Sequence, residues 1–135
     1  MLDRRQLVIL CISGAMFWLA DVAWIRLLPF FVVDPVGGDI GFLLSVPVAW
    51  ICVRLCQCLA GLDDAQIVPG ITFLVVVAAL LHALALRWAP ACYGEDRAGR
   101  LGSAWLLWIY GLILGSALLA ARRAARTRPV RPPAT

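Results

Sequence analysis

Ionisable side chains inside long apolar runs are rare and costly, so they are the first residues to weigh for chemistry. Asp21 lies in the apolar stretch that begins at Leu7, and His82, the chain's one histidine, lies in the stretch that ends at Trp88. Arg26 and Arg87 each follow five residues later. If both runs are helices crossing a membrane in the same sense, the four side chains reach a common depth. An intramembrane polar cluster of Asp21, Arg26, His82 and Arg87 is therefore expected. Its sharpest use is proton exchange between carboxylate and imidazole near neutral pH, as in a small proton-coupled transporter or a ligand site. Its plainer use is interhelical glue, with Asp21 paired to Arg26 or His82 and no turnover.

Five cysteines raise a second chemistry. Cys52 and Cys56 are one helical turn apart, Cys58 adds a C-x-C unit, and Cys11 has a similar depth in the first run. Soft thiolates at this spacing suit Cu(I), Zn or Hg, which would make the chain a metal handler. Against that, no C-x-x-C pair is present, and cysteine is common in apolar interiors as a small hydrophobe. No metal centre and no cofactor are expected, with Cys52, Cys56 and Cys58 the weak candidates.

The elements that must position these residues follow from composition. The chain has 135 residues, 63% of them hydrophobic and 15% charged, against about 45–50% and 25% in ordinary globular domains. So small a domain cannot cover a water-exposed surface with so few polar groups. A soluble enzyme, a disordered tail and a disulfide-built secreted domain are excluded. Four apolar runs, at about 7–25, 41–60, 67–88 and 103–121, are each long enough to cross a hydrocarbon core of about 30 Å as a helix. The expected fold is all-α, an integral membrane four-helix bundle in one domain.

Orientation comes from arginine, since every basic residue is Arg. With both termini inside, Arg4, Arg5, Arg54, Arg122, Arg123, Arg126, Arg128 and Arg131 are cytoplasmic, and only Arg26, Arg87, Arg97 and Arg100 lie outside. The positive-inside rule favours this N-in, C-in arrangement. Trp24, Trp88 and Trp105 then fall in an aromatic belt at the outer interface. Arg54 is expected to snorkel to the inner face. No small-residue cleavage site follows the first run, so it is read as a retained span.

The tight link from Gly61 to Gln66 predicts an antiparallel hairpin of spans two and three. The stretch from Leu27 to Val33 reads as an interfacial or re-entrant segment, followed by a turn at Asp34–Asp39. Gly111 and Gly115 form a G-x-x-x-G face, with Ala79 and Ala83 a weaker small-residue pair, both assigned to packing within the bundle, with a dimer the other use. Pro47 should kink span two and free a carbonyl for Ser45 or a neighbour. The segment 122–135, with five Arg, three Pro and no acid, reads as a disordered basic tail attracted to anionic cytoplasmic lipid. That attraction and the topology account for the charge without nucleic acid.

Several enzyme classes are excluded on residues. One histidine cannot ligate a haem on both faces, no outward C-x-x-C exists for disulfide formation, and there is no Asn for a glutathione-type signature. Small multidrug exporters share the length and an acid in the first span, but the residues around Asp21 do not match theirs. Pro69-Gly70, Tyr93-Gly94 and Trp105-Leu106-Leu107 with Tyr110-Gly111 resemble motifs of an uncharacterised bacterial family of small four-span inner-membrane proteins, a domain of unknown function. The resemblance covers most of the chain and implies a fold and a bacterial inner-membrane address, with no activity attached. The expectation is a non-enzymatic accessory or structural membrane component, alone, as a homodimer or in a larger membrane complex.

Overall fold

The computed structural model describes residues 1–94 and 96–127, with Asp96 and Thr127 by backbone only. The described residues form α1 (Arg4–Leu27), a short α2 (Phe30–Val33), α3 (Pro35–Ala60), α4 (Ile67–Trp88), a 3-10 turn (Pro90–Tyr93) and α5 (Asp96–Thr127), with no strand. Four of these helices are long and apolar enough to cross a membrane. Leu7, Ile12, Leu43, Ile51, Leu80, Leu107 and many similar side chains are exposed on all four. An apolar outer surface of that extent is stable only against lipid. The protein is a multi-pass membrane four-helix bundle.

Local signals set the helix ends. Asp3 caps α1 by accepting from the Gln6 backbone N–H at 2.7 Å, while Gln6 Oε1 accepts from the Asp3 N–H at 2.9 Å, a reciprocal capping box. The segment Asp34–Asp39, expected as a turn, is instead the start of α3. Asp34 accepts from the Gly37 N–H at 2.8 Å and Pro35 takes the first helical position, where a missing N–H costs nothing. Span two thus begins at Pro35 rather than at 41, six residues earlier than expected. At its far end Gly61 adopts φ +60°, and the Leu62 N–H reaches Gln57 O at 2.9 Å. This left-handed closure suits glycine and satisfies the last carbonyls of α3. The stretch expected as interfacial ends α1 and then forms α2. That helix folds back onto α3, with the Phe30 and Phe31 backbones directly over Gly37 and Gly41.

α1 and α4 run parallel and pack most extensively on each other, as do α3 and α5. α3 and α4 barely touch, which corrects the expected hairpin: the six-residue link spans a diagonal of the bundle. The reason lies in α1. A Cβ on Gly14 would stand 2.9 Å from the Leu74 carbonyl oxygen and 3.0 Å from Val77, so the missing side chain lets α4 close on α1 rather than on α3.

The G-x-x-x-G face is not used for packing within the bundle, which corrects the first of its two expected uses. No atom lies within 4 Å of a Cβ built on Gly111 or Gly115, Gly111 is exposed, and so is Ala83. α3 runs unbroken through Pro47. Ser45 Oγ donates to Phe42 O at 2.5 Å, and Trp108 Nε1 donates to Ser45 Oγ at 2.9 Å and Phe42 O at 3.2 Å. This answers a carbonyl next to the one a proline leaves unpaired, and it fastens α3 to α5.

α5 continues through Thr127, so Arg122, Arg123 and Arg126 stand on helix rather than in a disordered tail. The Arg123 guanidinium lies 5.1 Å from the Trp50 ring centroid. The rest of the expected tail, 128–135, lies outside the described residues. At the same end, the buried Gln6 donates to Gln66 Oε1 at 3.0 Å and Gly61 O at 3.3 Å, and Gln66 donates to Met1 O at 2.9 Å. The two glutamines tie the start of α1 to the α3–α4 link.

Gly14 and Gly111 therefore part ways on substitution. Gly14→Ala is expected to lower stability in mild detergent by about 1–3 kcal/mol, the usual cost of overpacking. Gly111→Ala should hold or raise it, since alanine is the better helix former by about 1 kcal/mol. Thermal unfolding followed by circular dichroism distinguishes the two.

Candidate functional site

Asp21 and His82 meet. His82 Nε2 and Asp21 Oδ2 are 3.3 Å apart across the α1–α4 contact, which the parallel packing makes possible by giving both helices the same direction. The two arginines predicted with them stay out. Arg26, in the last turn of α1, is exposed and donates to Ala91 O at 2.7 Å. Arg87, in the last turn of α4, is exposed. Each serves a helix C-terminus, where a cation offsets the partial negative charge of unpaired carbonyls.

In their place stand the chain's two tyrosines. The 3-10 turn folds over the end of α4 and brings Tyr93 OH to within 2.5 Å of His82 Nδ1. From α5, Tyr110 donates to Asp21 Oδ2 at 3.4 Å. Both rings also pack on the imidazole, with centroids at 5.7 and 5.9 Å. His82 is 4% exposed, Tyr93 1% and Asp21 9%. Sequence reasoning passed over both tyrosines as members of short motifs. The available signal was that an amphipathic ring at the depth of a buried acid and imidazole supplies the O–H they need.

Burial pushes the Tyr93 phenol above its ordinary value, so it keeps a proton that it can donate to His82 Nδ1. In the tautomer that accepts it, the imidazole hydrogen is on Nε2 and directed at Asp21. One consistent set of donors results: Tyr93 to His82, then His82 and Tyr110 both to the same carboxylate oxygen. The two contacts to Asp21 are at the long end of the hydrogen-bond range. Chemically the arrangement can hold a proton between Asp21 and His82 and tie four elements, α1, α4, the 3-10 turn and α5, to one point.

The aromatic residues expected as a belt behave differently from one another. Trp88 is 72% exposed, but Trp105 is buried and stacks on Trp24 with centroids 6.0 Å apart, and Trp24 stacks in turn on Phe31. The indole N–H groups of Trp24 and Trp105 are buried and find no acceptor among the described residues.

The thiols do not converge. Cys56 is buried, Cys52 half-buried and Cys58 exposed, and among the described residues no three metal-ligating side chains come together. Arg54, expected to snorkel, donates to Gln57 Oε1 at 2.7 Å on the exposed surface of α3.

Above the cluster lies an open cleft of about 760 Å³, walled by the end of α1, α2, the start of α3 and the start of α5, with Tyr93 in its lining. On the other side of the cluster, Leu10, Val53, Ile71 and Leu74 close the bundle with buried apolar packing. No protein-family model matches the chain, and no match is found among curated proteins or solved structures.

A double-mutant cycle reads the cluster directly. Asp21→Ala leaves the His82 and Tyr110 donors unpaired and should destabilise by about 1–3 kcal/mol for each buried group stranded. His82→Ala should cost a similar amount, and the pair together less than the sum. Arg87→Ala should stay within about 0.5 kcal/mol of the parent protein. Chemical or thermal unfolding in detergent micelles measures all four.

Proposed function

We propose that this chain is a non-enzymatic component of the bacterial inner membrane, with both termini cytoplasmic, acting as a compact accessory subunit rather than as a transporter. The observation that carries the reading is the one-sided setting of the polar cluster. Asp21, His82, Tyr93 and Tyr110 adjoin the cleft end of the bundle, while apolar side chains fill the other side. A transported proton or ion needs polar stepping stones on both sides of its binding site, because a charge in hydrocarbon is costly. The cluster instead uses its hydrogen bonds on itself, as interhelical glue does.

The arginine distribution supports placing the cleft on the outer face and the last turns of α5, with Arg122, Arg123 and Arg126, against anionic lipid on the inner face. The resemblance to small four-span inner-membrane proteins is consistent with that address.

Two measurements test the reading. In proteoliposomes with an entrapped pH dye, the wild type and Asp21→Asn should both leave the proton leak of empty vesicles unchanged. A proton flux that the wild type supports and Asp21→Asn abolishes would replace the accessory reading with the transporter. Native electrophoresis of membranes solubilised in mild detergent should show the chain in a complex heavier than its homodimer. A clean monomer or homodimer counts against an accessory role.

A further inference from the structure

The cleft above the cluster has a chemical character of its own. Ile25, Pro29, Phe30 and Val33 give it an apolar wall, and Arg26 and Arg97 give it two guanidinium groups. Asp34 also lines it, but its carboxylate is engaged in capping α3 at the Gly37 N–H. Arg26 directs one N–H at the Ala91 carbonyl and keeps its remaining donors. Arg97 is exposed, and no hydrogen bond or ion pair joins it to another described residue. The start of α5 also borders the cleft, and a helix N-terminus favours negative charge. A volume of about 760 Å³ lies within the range of small-molecule sites, about 300–1,000 Å³.

Position adds to this. α5 has 32 residues, about 48 Å at 1.5 Å per residue, which exceeds a hydrocarbon core of about 30 Å. Its first turns therefore reach into the headgroup region, and Arg97 with them. α1 ends beside it at Leu27. A molecule lying in the leaflet with its head at the interface meets the arginines and the apolar wall together.

The geometry points to this cleft as a binding site for an anionic amphiphile, a phosphate or carboxylate head on an apolar body. The head takes charge-assisted hydrogen bonds from Arg97 and Arg26, and the body lies along Phe30, Val33 and Pro29. A neutral lipid forgoes the arginines, and a small free anion forgoes the wall. The site is distinct from the basic turns at the other end of α5, and it does not rest on the proposed function, because binding and proton flux are read separately.

The test uses the full chain in neutral maltoside micelles. Phosphatidylglycerol, phosphatidylcholine, palmitate and inorganic phosphate are titrated in separate arms, with bound ligand counted by native mass spectrometry. Phosphatidylglycerol or palmitate should bind about tenfold more tightly than phosphatidylcholine, the equivalent of one charge-assisted pair. Whichever of the two binds tells a membrane lipid from a free single-chain acid. Arg97→Gln should lose most of that preference and Arg97→Glu should abolish it, with unchanged circular dichroism showing that both variants fold. Arg122→Gln/Arg126→Gln, at the opposite end, should keep it. Equal binding of phosphatidylglycerol and phosphatidylcholine by the wild type overturns the site. So does a preference that survives Arg97→Glu, or inorganic phosphate binding as tightly as either amphiphile.

Discussion

The parallel approach of α1 to α4 is the contact on which the rest of the bundle depends. Lipid tails are as apolar as leucine, so nothing squeezes these helices together as water would, and close packing with a few hydrogen bonds must do so. α1 supplies the close packing at Gly14, beneath the Leu74 carbonyl and Val77. The same register, followed along the pair, sets Leu10 beside Gly70 and Asp21 opposite His82. One missing side chain thus brings a carboxylate and an imidazole together about two turns away. Had α4 packed on α3 instead, as chain order invites, Asp21 would have lost its partner.

The two ends of the bundle are closed by different means. At the end holding Met1 and the last turns of α5, an amide network through Gln6 and Gln66 and a cation–π contact from Arg123 to Trp50 join loops and helices. These are neutral or exposed groups. At the other end, aromatic stacking of Trp105, Trp24 and Phe31 supports α2, and Tyr93 covers the cluster. The cleft opens at this same end, between α2 and the residues around Tyr93. The polar cluster and the cleft therefore share Tyr93, whose hydroxyl faces His82 while its residue lines the cleft.

Arginine has three separate uses in this chain. Arg26 and Arg87 stand at helix C-termini, Arg122, Arg123 and Arg126 extend the polar end of α5, and Arg97 faces the cleft. None enters the buried cluster. A guanidinium cannot lose its charge at any ordinary pH, so burying it beside Asp21 would mean stripping water from a permanent charge. The imidazole and the phenols are free of that demand, since each can be neutral and still donate.

Much of the fold was legible in the amino-acid order alone. Span number, approximate limits and the buried pair of Asp21 and His82 follow from apolar run length and from the cost of a charge in lipid, both properties of single segments. Helix starts were legible in part: Asp34-Pro35 is a cap and first turn, yet the two glycines after it looked like a turn because the α2 backbone that covers them was not visible. Helix neighbours were legible only through the pair of Asp21 and His82. Which small residue makes a contact depends on what stands opposite, so Gly111-x-x-x-Gly115 looked like packing and faces nothing, while the single Gly14 carries the central approach. The tyrosines joined the cluster for the same reason, since one arrives on a turn after α4 and the other on α5. Sequence by itself determined that this chain lives in lipid and where its charges are tolerable, because those are costs each residue bears alone. Only the tertiary structure decided which helices touch, and with that which polar groups find partners, because packing is a relation between surfaces far apart in the chain.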